Sequence, residues 1–179
     1  MSFLLTQSYK KINTENIPFY LIVLDMGYTL LKAFTSGKII PITEVPDEVF
    51  AQKMMGDGIA IYPDNNIIVA PCDGKITAIM ENTEHAVGIT LANGVELLIH
   101  VGLDTVNLTE KIFSVKVAKE SYVHTGEELI TFDKVRLKEL GYQDITMLVI
   151  LDTGNTKKLE ILSETEAIIN QTNIIKYID

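Results

Sequence analysis

The chain has 179 residues, 47% of them apolar, and a formal net charge of −9. That length suits one ordinary domain with some chain to spare. The acidic balance speaks against nucleic-acid binding, which needs a basic face to neutralise phosphates. The single cysteine, Cys72, leaves no internal disulfide and fits a reducing compartment.

Polar spacers open the chain (TQSYKKINTEN), followed by an apolar patch, IPFYLIVLDMGYTLL. Asp25 interrupts the patch, and no basic flank and small-residue cleavage site accompany it, so no secretory signal is expected. The patch is also shorter than the ~20 apolar residues a spanning helix needs. The expectation is a cytoplasmic protein without stable membrane insertion. Residues 1–33 are read as an N-terminal extension and 34–179 as one domain. From Phe34 onward, short runs rich in Val, Ile and Thr alternate with Gly, Pro, Asn and Asp. In order they are KIIPI, GIAIYP, NIIVAP, GKITAIM, HAVGITL, VELLIHV, KIFSVKV, ELITF and TMLVIL. This spacing predicts an all-β fold, a flattened antiparallel sandwich or barrel. Two short helices are expected. The first covers PDEVFAQKMM, with Pro46 at its first position and Asp47 and Glu48 in the first turn. The second covers DKVRLKEL and is stopped by Gly141.

Asn93-Gly94 between HAVGITL and VELLIHV predicts a two-residue hairpin turn. Ala92 would then face Val95, Ile89 would face Leu98, and Val87 would face His100. His85 would be a diagonal neighbour of His100 on the same face, with Cα atoms about 7–8 Å apart. Val95, Leu97, Ile99 and Val101 would form the core side. The other side would carry Val87, Ile89, Leu98 and both histidines, with a slip of one residue inverting the assignment. Paired imidazoles can accept and steady a phosphoryl group, since a neutral ring nitrogen is a good nucleophile. Zinc would fit His85 and His100 only with further ligands from a partner, because protein zinc sites use three or four. From pairing geometry alone, a hydrogen-bonded structural pair fits as well as a catalytic one.

At these residues the chain resembles the enzyme IIA component of the sugar phosphotransferase system, in its glucose and β-glucoside class. The resemblance rests on SGKIIPITEVPDEVFAQKMMGDGIAIYP, VAPCDGKI, EHAVGI, GVELLIHVGLDTVNL and YVHTGEELITFD, with a weaker continuation in LKELGYQDITMLVI. It implies an antiparallel sandwich with a shallow apolar depression around the two histidines. His100 matches the family's phosphoryl acceptor, His85 its catalytic partner, and Thr83 a threonine that orients the pair. Phe50, Met54, Met55, Met80, Val87, Leu98 and Val106 would line a partner-docking rim bordered by Asp47 and Asp104. The implied reaction takes phosphate from the phosphocarrier HPr onto His100 and passes it to the IIB domain of a sugar permease, with no cofactor. The chain departs from the family in placing Glu110 and Ile112 where two glycines are usual, and Glu120 where a turn glycine is usual.

Two other readings compete. VAPCDGKI with YVHTGEELITF resembles half-motifs of lipoyl and biotinyl carrier modules, with Lys53-Met54 as the nearest attachment candidate. LIVLDMGYTLL resembles the first motif of haloacid-dehalogenase-type phosphatases, with Asp25 as nucleophile. The second acid of that motif is missing, since Gly27 takes its place, and Gly154 does the same in VILDTGNTKKL after Asp152. Cys72 and His124 are read as a packed thiol and a solvated loop histidine.

Overall fold

A computed structural model describes residues 28–178. Asp25 and most of the expected 1–33 extension lie outside the described residues. The strands run β1 (Tyr28–Lys32), β2 (Gly37–Pro41), β3 (Asp57–Pro63), β4 (Ile67–Val69), β5 (Gly74–Ile79), β6 (Ala86–Thr90) and β7 (Val95–Val101). They continue through β8 (Phe113–Val115), β9 (Tyr122–Val123), β10 (Glu128–Phe132), β11 (Thr146–Thr153), β12 (Lys158–Ile161), β13 (Glu166–Ala167) and β14 (Asn173–Ile178). Two short helices, α1 (Glu48–Ala51) and α2 (Lys134–Glu139), interrupt them.

The expected antiparallel sandwich is the observed fold. One eight-stranded sheet has the order β13-β2-β3-β11-β7-β6-β5-β9, and two three-stranded sheets, β4-β10-β8 and β1-β14-β12, pack on it. The period-2 pattern explains where the core lies. Ile39, Ile59, Leu97, Ile99 and Leu148 of the large sheet join Leu31, Ile68, Phe113, Ile130 and Ile175 of the small sheets in one buried cluster. The alternate residues Ile40, Ala60, Met147 and Val149 form a second, smaller cluster with Ile42, Val45, Phe50, Leu103 and Ile145. The segment 42–50, which includes the start of α1, therefore covers the outer face of the large sheet.

β1 precedes the boundary expected at residue 34. It pairs along β14, and Leu31 and Ala33 are fully buried, so residues 28–33 are woven into the sandwich. α1 begins two residues later than the sequence suggests. Asp47 is its cap, with Oδ1 accepting the Val49 and Phe50 amides at 2.9 and 3.3 Å, which leaves Pro46 outside the helix. In α2, Asp133 caps the Arg136 amide, and Gly141 follows in the left-handed region at φ 86°.

The positions that depart from the family have each found a role. Glu110 forks onto Arg136 of α2 at 2.9 and 3.0 Å, and Ile112 is buried in the main core. Glu120 keeps the left-handed backbone (φ 70°) that a glycine would adopt freely, held by its amide on the Ile76 carbonyl at 2.8 Å and by Lys75 at 2.5 Å.

The run Gly56-Asp57-Gly58 marks a close approach of β3 to β11. A Cβ on Gly56 or Gly58 would lie 2.0 Å from the carbonyl oxygen of Ile150 or Leu148 respectively. Backbone atoms cannot yield as a side-chain end can, so Gly58→Ala is expected to destabilise the fold by about 2 kcal/mol or more. Denaturant unfolding checks this, and a loss below about 0.5 kcal/mol would mean that the two strands part at little cost.

Candidate functional site

The hairpin that carries both histidines closes one residue away from the register the sequence suggests. Leu91, not Ala92, faces Val95: the Leu91 amide donates to the Val95 carbonyl at 2.9 Å, and Gly94 (φ 87°) donates to Leu91 at 3.0 Å. The connection is a three-residue loop, Ala92-Asn93-Gly94, with glycine in the left-handed place. Across β6 and β7, Ala86 therefore faces His100, Val87 faces Ile99, and Ile89 faces Leu97. The slip inverts the faces of β6. Val87 and Ile89 are fully buried in the main core, so Val87 is no part of a docking rim. The core face of β7 is as expected, with Val95, Leu97, Ile99 and Val101 at 1% exposure or less.

His100 points to the outer face, beside the second cluster. Met147 of β11 faces it on one side and Ala86 on the other. The Phe50 ring stands edge-on to it, with centroids 5.3 Å apart. His85 lies just ahead of β6, after Glu84, whose backbone is left-handed (φ 58°). Outside the regular pleat, strand alternation does not fix its direction, and its ring reaches His100 despite the shifted register. The two Nε2 atoms are 3.1 Å apart and the ring centroids 4.5 Å apart. His85 Nδ1 meets Thr83 Oγ1 at 2.5 Å, and Phe113 packs against the same ring at 6.2 Å. His85 is buried, whereas His100 is half-buried.

Hydrogen-bond logic limits where the protons can lie. Two Nε2 atoms can share a bond only if one carries hydrogen and the other a lone pair. If the Thr83 hydroxyl donates to His85 Nδ1, His85 Nε2 carries the hydrogen and donates to the lone pair on His100 Nε2. Burial, and then the neighbouring His100, push the pKa of His85 down to about 4. Burial also lowers that of His100, opposed by the Gly102 backbone and the Asp47 carboxylate, which favour the proton. Both rings are thus neutral near pH 7, and in that tautomer His100 Nε2 keeps its lone pair, directed at a donor.

The remaining expected rim residues divide by exposure. Met54, Met55, Met80 and Val106 are exposed, at 70%, 38%, 44% and 57%. Asp104 is exposed and left-handed at φ 58°, and Asp47 is half-buried at its capping position. Phe50 is only 7% exposed and forms a wall of the His100 site, and Leu98 packs on the second cluster. Sequence reasoning missed Phe113 and Met147. Both reach the histidines through strand pairings that are distant along the chain and leave no local signal.

The residues that suggested other chemistry are placed elsewhere. Cys72 is buried, and burial pushes its thiol up to about 12, so it is no thiolate at neutral pH. His124 is a solvated loop residue 3.6 Å from Asp73. Lys53 follows α1 and pairs with Asp57 at 2.8 Å rather than standing at a hairpin tip. Asp152 is exposed and accepts the Gly154 amide at 2.8 Å. Among the described residues, no three His, Cys, Asp or Glu side chains gather to hold a metal ion, and no helix is long and apolar enough to cross a membrane.

The depressed pKa values set a pH window. Between the ordinary histidine value of 6.5 and about 4, the unfolded chain binds a proton that folded His85 refuses. Stability should therefore fall as pH drops through that window, and part of the slope should vanish in His85→Gln. Thermal unfolding from pH 7 to 4 checks this, and ring NMR should show His85 neutral at pH 6.

Comparison with known proteins places the chain in a family. Residues 29–156 match the family model for the phosphoenolpyruvate-dependent sugar phosphotransferase system, EIIA 1. The glucose-specific EIIA component of Oceanobacillus iheyensis is 38% identical over 144 residues, covering 80% of this chain and 87% of that protein. Its Bacillus cereus counterpart is 39% identical over 141 residues, covering 79% and 85%. The solved structure of glucose permease IIA from Mycoplasma capricolum superimposes with a TM-score of 0.74 at 35% identity, over 83% of this chain and 95% of that one. With the fold, the family match and these relatives in agreement, the chain belongs to the EIIA family of the sugar phosphotransferase system and is a phosphoryl-carrying transferase component of sugar uptake.

Proposed function

We propose that His100 is the phosphoryl acceptor of this component and His85 its catalytic partner, oriented by Thr83. The supporting observation is the chain of contacts from Thr83 Oγ1 to His85 Nδ1 and from His85 Nε2 to His100 Nε2. His100 Nε2 attacks the phosphorus of a phosphohistidine on HPr. The new N–P bond forms as the donor's N–P bond breaks, and the electron pair returns to the donor ring. For this attack the His85 Nε2–H leaves the His100 Nε2 lone pair and turns to a phosphoryl oxygen, whose charge it stabilises. Onward transfer to a permease IIB domain repeats the exchange with His100 as the leaving group. Little covalent chemistry is needed beyond the nucleophile, so positioning and water exclusion carry the rate.

The exposed side chains of Met54, Met55, Met80 and Val106 suit docking of more than one partner, because methionine adapts its shape. Asp47 and Asp104 would favour a basic partner surface. The reaction needs no cofactor, and zinc would require ligands from a bound partner besides His85 and His100. The proposed place of action is the cytoplasm. The glucose specificity in the relatives' names makes a glucose-type permease the first IIB to test.

His100→Gln should take no phosphate from phospho-HPr. His85→Gln should be phosphorylated on His100 yet pass phosphate to IIB at least ~100-fold more slowly. Acid-labile incorporation of labelled phosphate, followed by chase with IIB, measures both steps. Normal onward transfer by His85→Gln would remove His85 from the mechanism.

A further inference from the structure

Glu84 stands between Thr83 and His85 and takes no part in the transfer described above. Its backbone is left-handed, with φ 58°. That conformation costs a residue with a Cβ about 1–2 kcal/mol, and glutamate lacks the short side chain that lets asparagine adopt it readily. The surroundings must hold it there. Its amide donates to the Met80 carbonyl at 2.7 Å and closes the turn after β5. Its carboxylate reaches across to another sheet: Oε2 accepts the Val115 amide at 3.0 Å, and Oε1 lies 3.5 Å from Lys111 Nζ. Only 29% of this side chain is exposed, against 77% for Lys111, so the amide contact is the more sheltered of the two.

The strand that receives the carboxylate is β8, and β8 also carries Phe113, which packs against the His85 ring. One side chain therefore ties the corner bearing Thr83 and His85 to the strand on the far side of that ring. We propose that Glu84 is a positioning residue for transfer: by anchoring on the Val115 amide and Lys111, it fixes the Thr83–His85 corner so that His85 Nε2 stays directed at His100 Nε2. The inference rests on the assignment of His85 and His100 as the phosphoryl site. It also explains why a strained conformation sits immediately beside the catalytic pair.

Three variants separate the tether from the strain. Glu84→Gln keeps an acceptor for the Val115 amide. Glu84→Ala loses the tether and keeps the strain. Glu84→Gly loses the tether and relieves the strain, so it should fold even if the alanine variant does not. With phospho-HPr as donor and a IIB domain as acceptor, Glu84→Gly and Glu84→Ala should still charge His100. Their onward transfer should fall on the order of ten- to a hundredfold in kcat, with little change in KM for IIB. Glu84→Gln should stay within a few-fold of the parent. Nitrogen NMR of the His85 ring should show one tautomer, hydrogen on Nε2, in the parent and Glu84→Gln, and a tautomer mixture in the glycine variant. Parent-like transfer together with a single tautomer in Glu84→Gly would overturn the proposal. The tautomer readout requires no phosphate, so if the parent failed to charge His100, the functional assignment would fall while the effect of Glu84 on His85 could still be read.

Discussion

Two imidazole nitrogens 3.1 Å apart have room for one hydrogen between them. That constraint makes the two rings unequal. The ring that holds the hydrogen becomes a donor, and the ring without it becomes a base with a directed lone pair. A Thr83 hydroxyl that donates to the far nitrogen of His85 would make His85 the donor, and burial keeps both rings uncharged near neutrality. A site for phosphoryl relay needs this asymmetry. A charged acceptor ring would have no lone pair, and an undirected partner would have no hydrogen to offer the incoming oxygens.

The sandwich serves that constraint through its two faces. Alternation along β7 sends Leu97, Ile99 and Val101 into the main core and leaves His100 on the outside, beside Met147 and Phe50. The outer face would be bare but for the segment that leads into α1, where the Asp47 carboxylate caps the helix and also lends its field to His100. His85 approaches from the end of the neighbouring strand, where the pleat has not begun. The pair is thus assembled from a regular element and an irregular one. The regular strand gives rigidity, and the irregular corner gives a direction that strict alternation would forbid.

Much of the architecture is legible in the sequence, because turn residues punctuate apolar runs from KIIPI to TMLVIL and each of those runs holds a strand. The C-terminal strands β12 and β13 are not, since their segments are short and mixed in polarity, and the apolar run NIIKYI of β14 goes unread beside them. β1 reads in the sequence as part of an apolar patch, because only its pairing with β14 reveals it as a strand. The histidine pairing was right in proximity and wrong in register. Asn93-Gly94 signals a hairpin but does not by itself separate a two-residue loop from a three-residue one, and that single residue moved Val87 from the rim to the core. The glycine departures could be seen but not resolved from sequence. Glu110 found an arginine, Ile112 found the core, and Glu120 simply kept the glycine's backbone.

β1 and β14 have one more implication. Tyr28 stands directly opposite Ile178, so the described chain enters and leaves the sandwich on adjacent antiparallel strands. A domain threaded in this way could sit in a loop of a larger polypeptide with both connections made side by side. Joining Tyr28 to Ile178 by a short linker and opening the chain at another exposed turn would leave the described ladders of hydrogen bonds in place. Modularity of this kind comes from the threading alone and is independent of the phosphoryl chemistry.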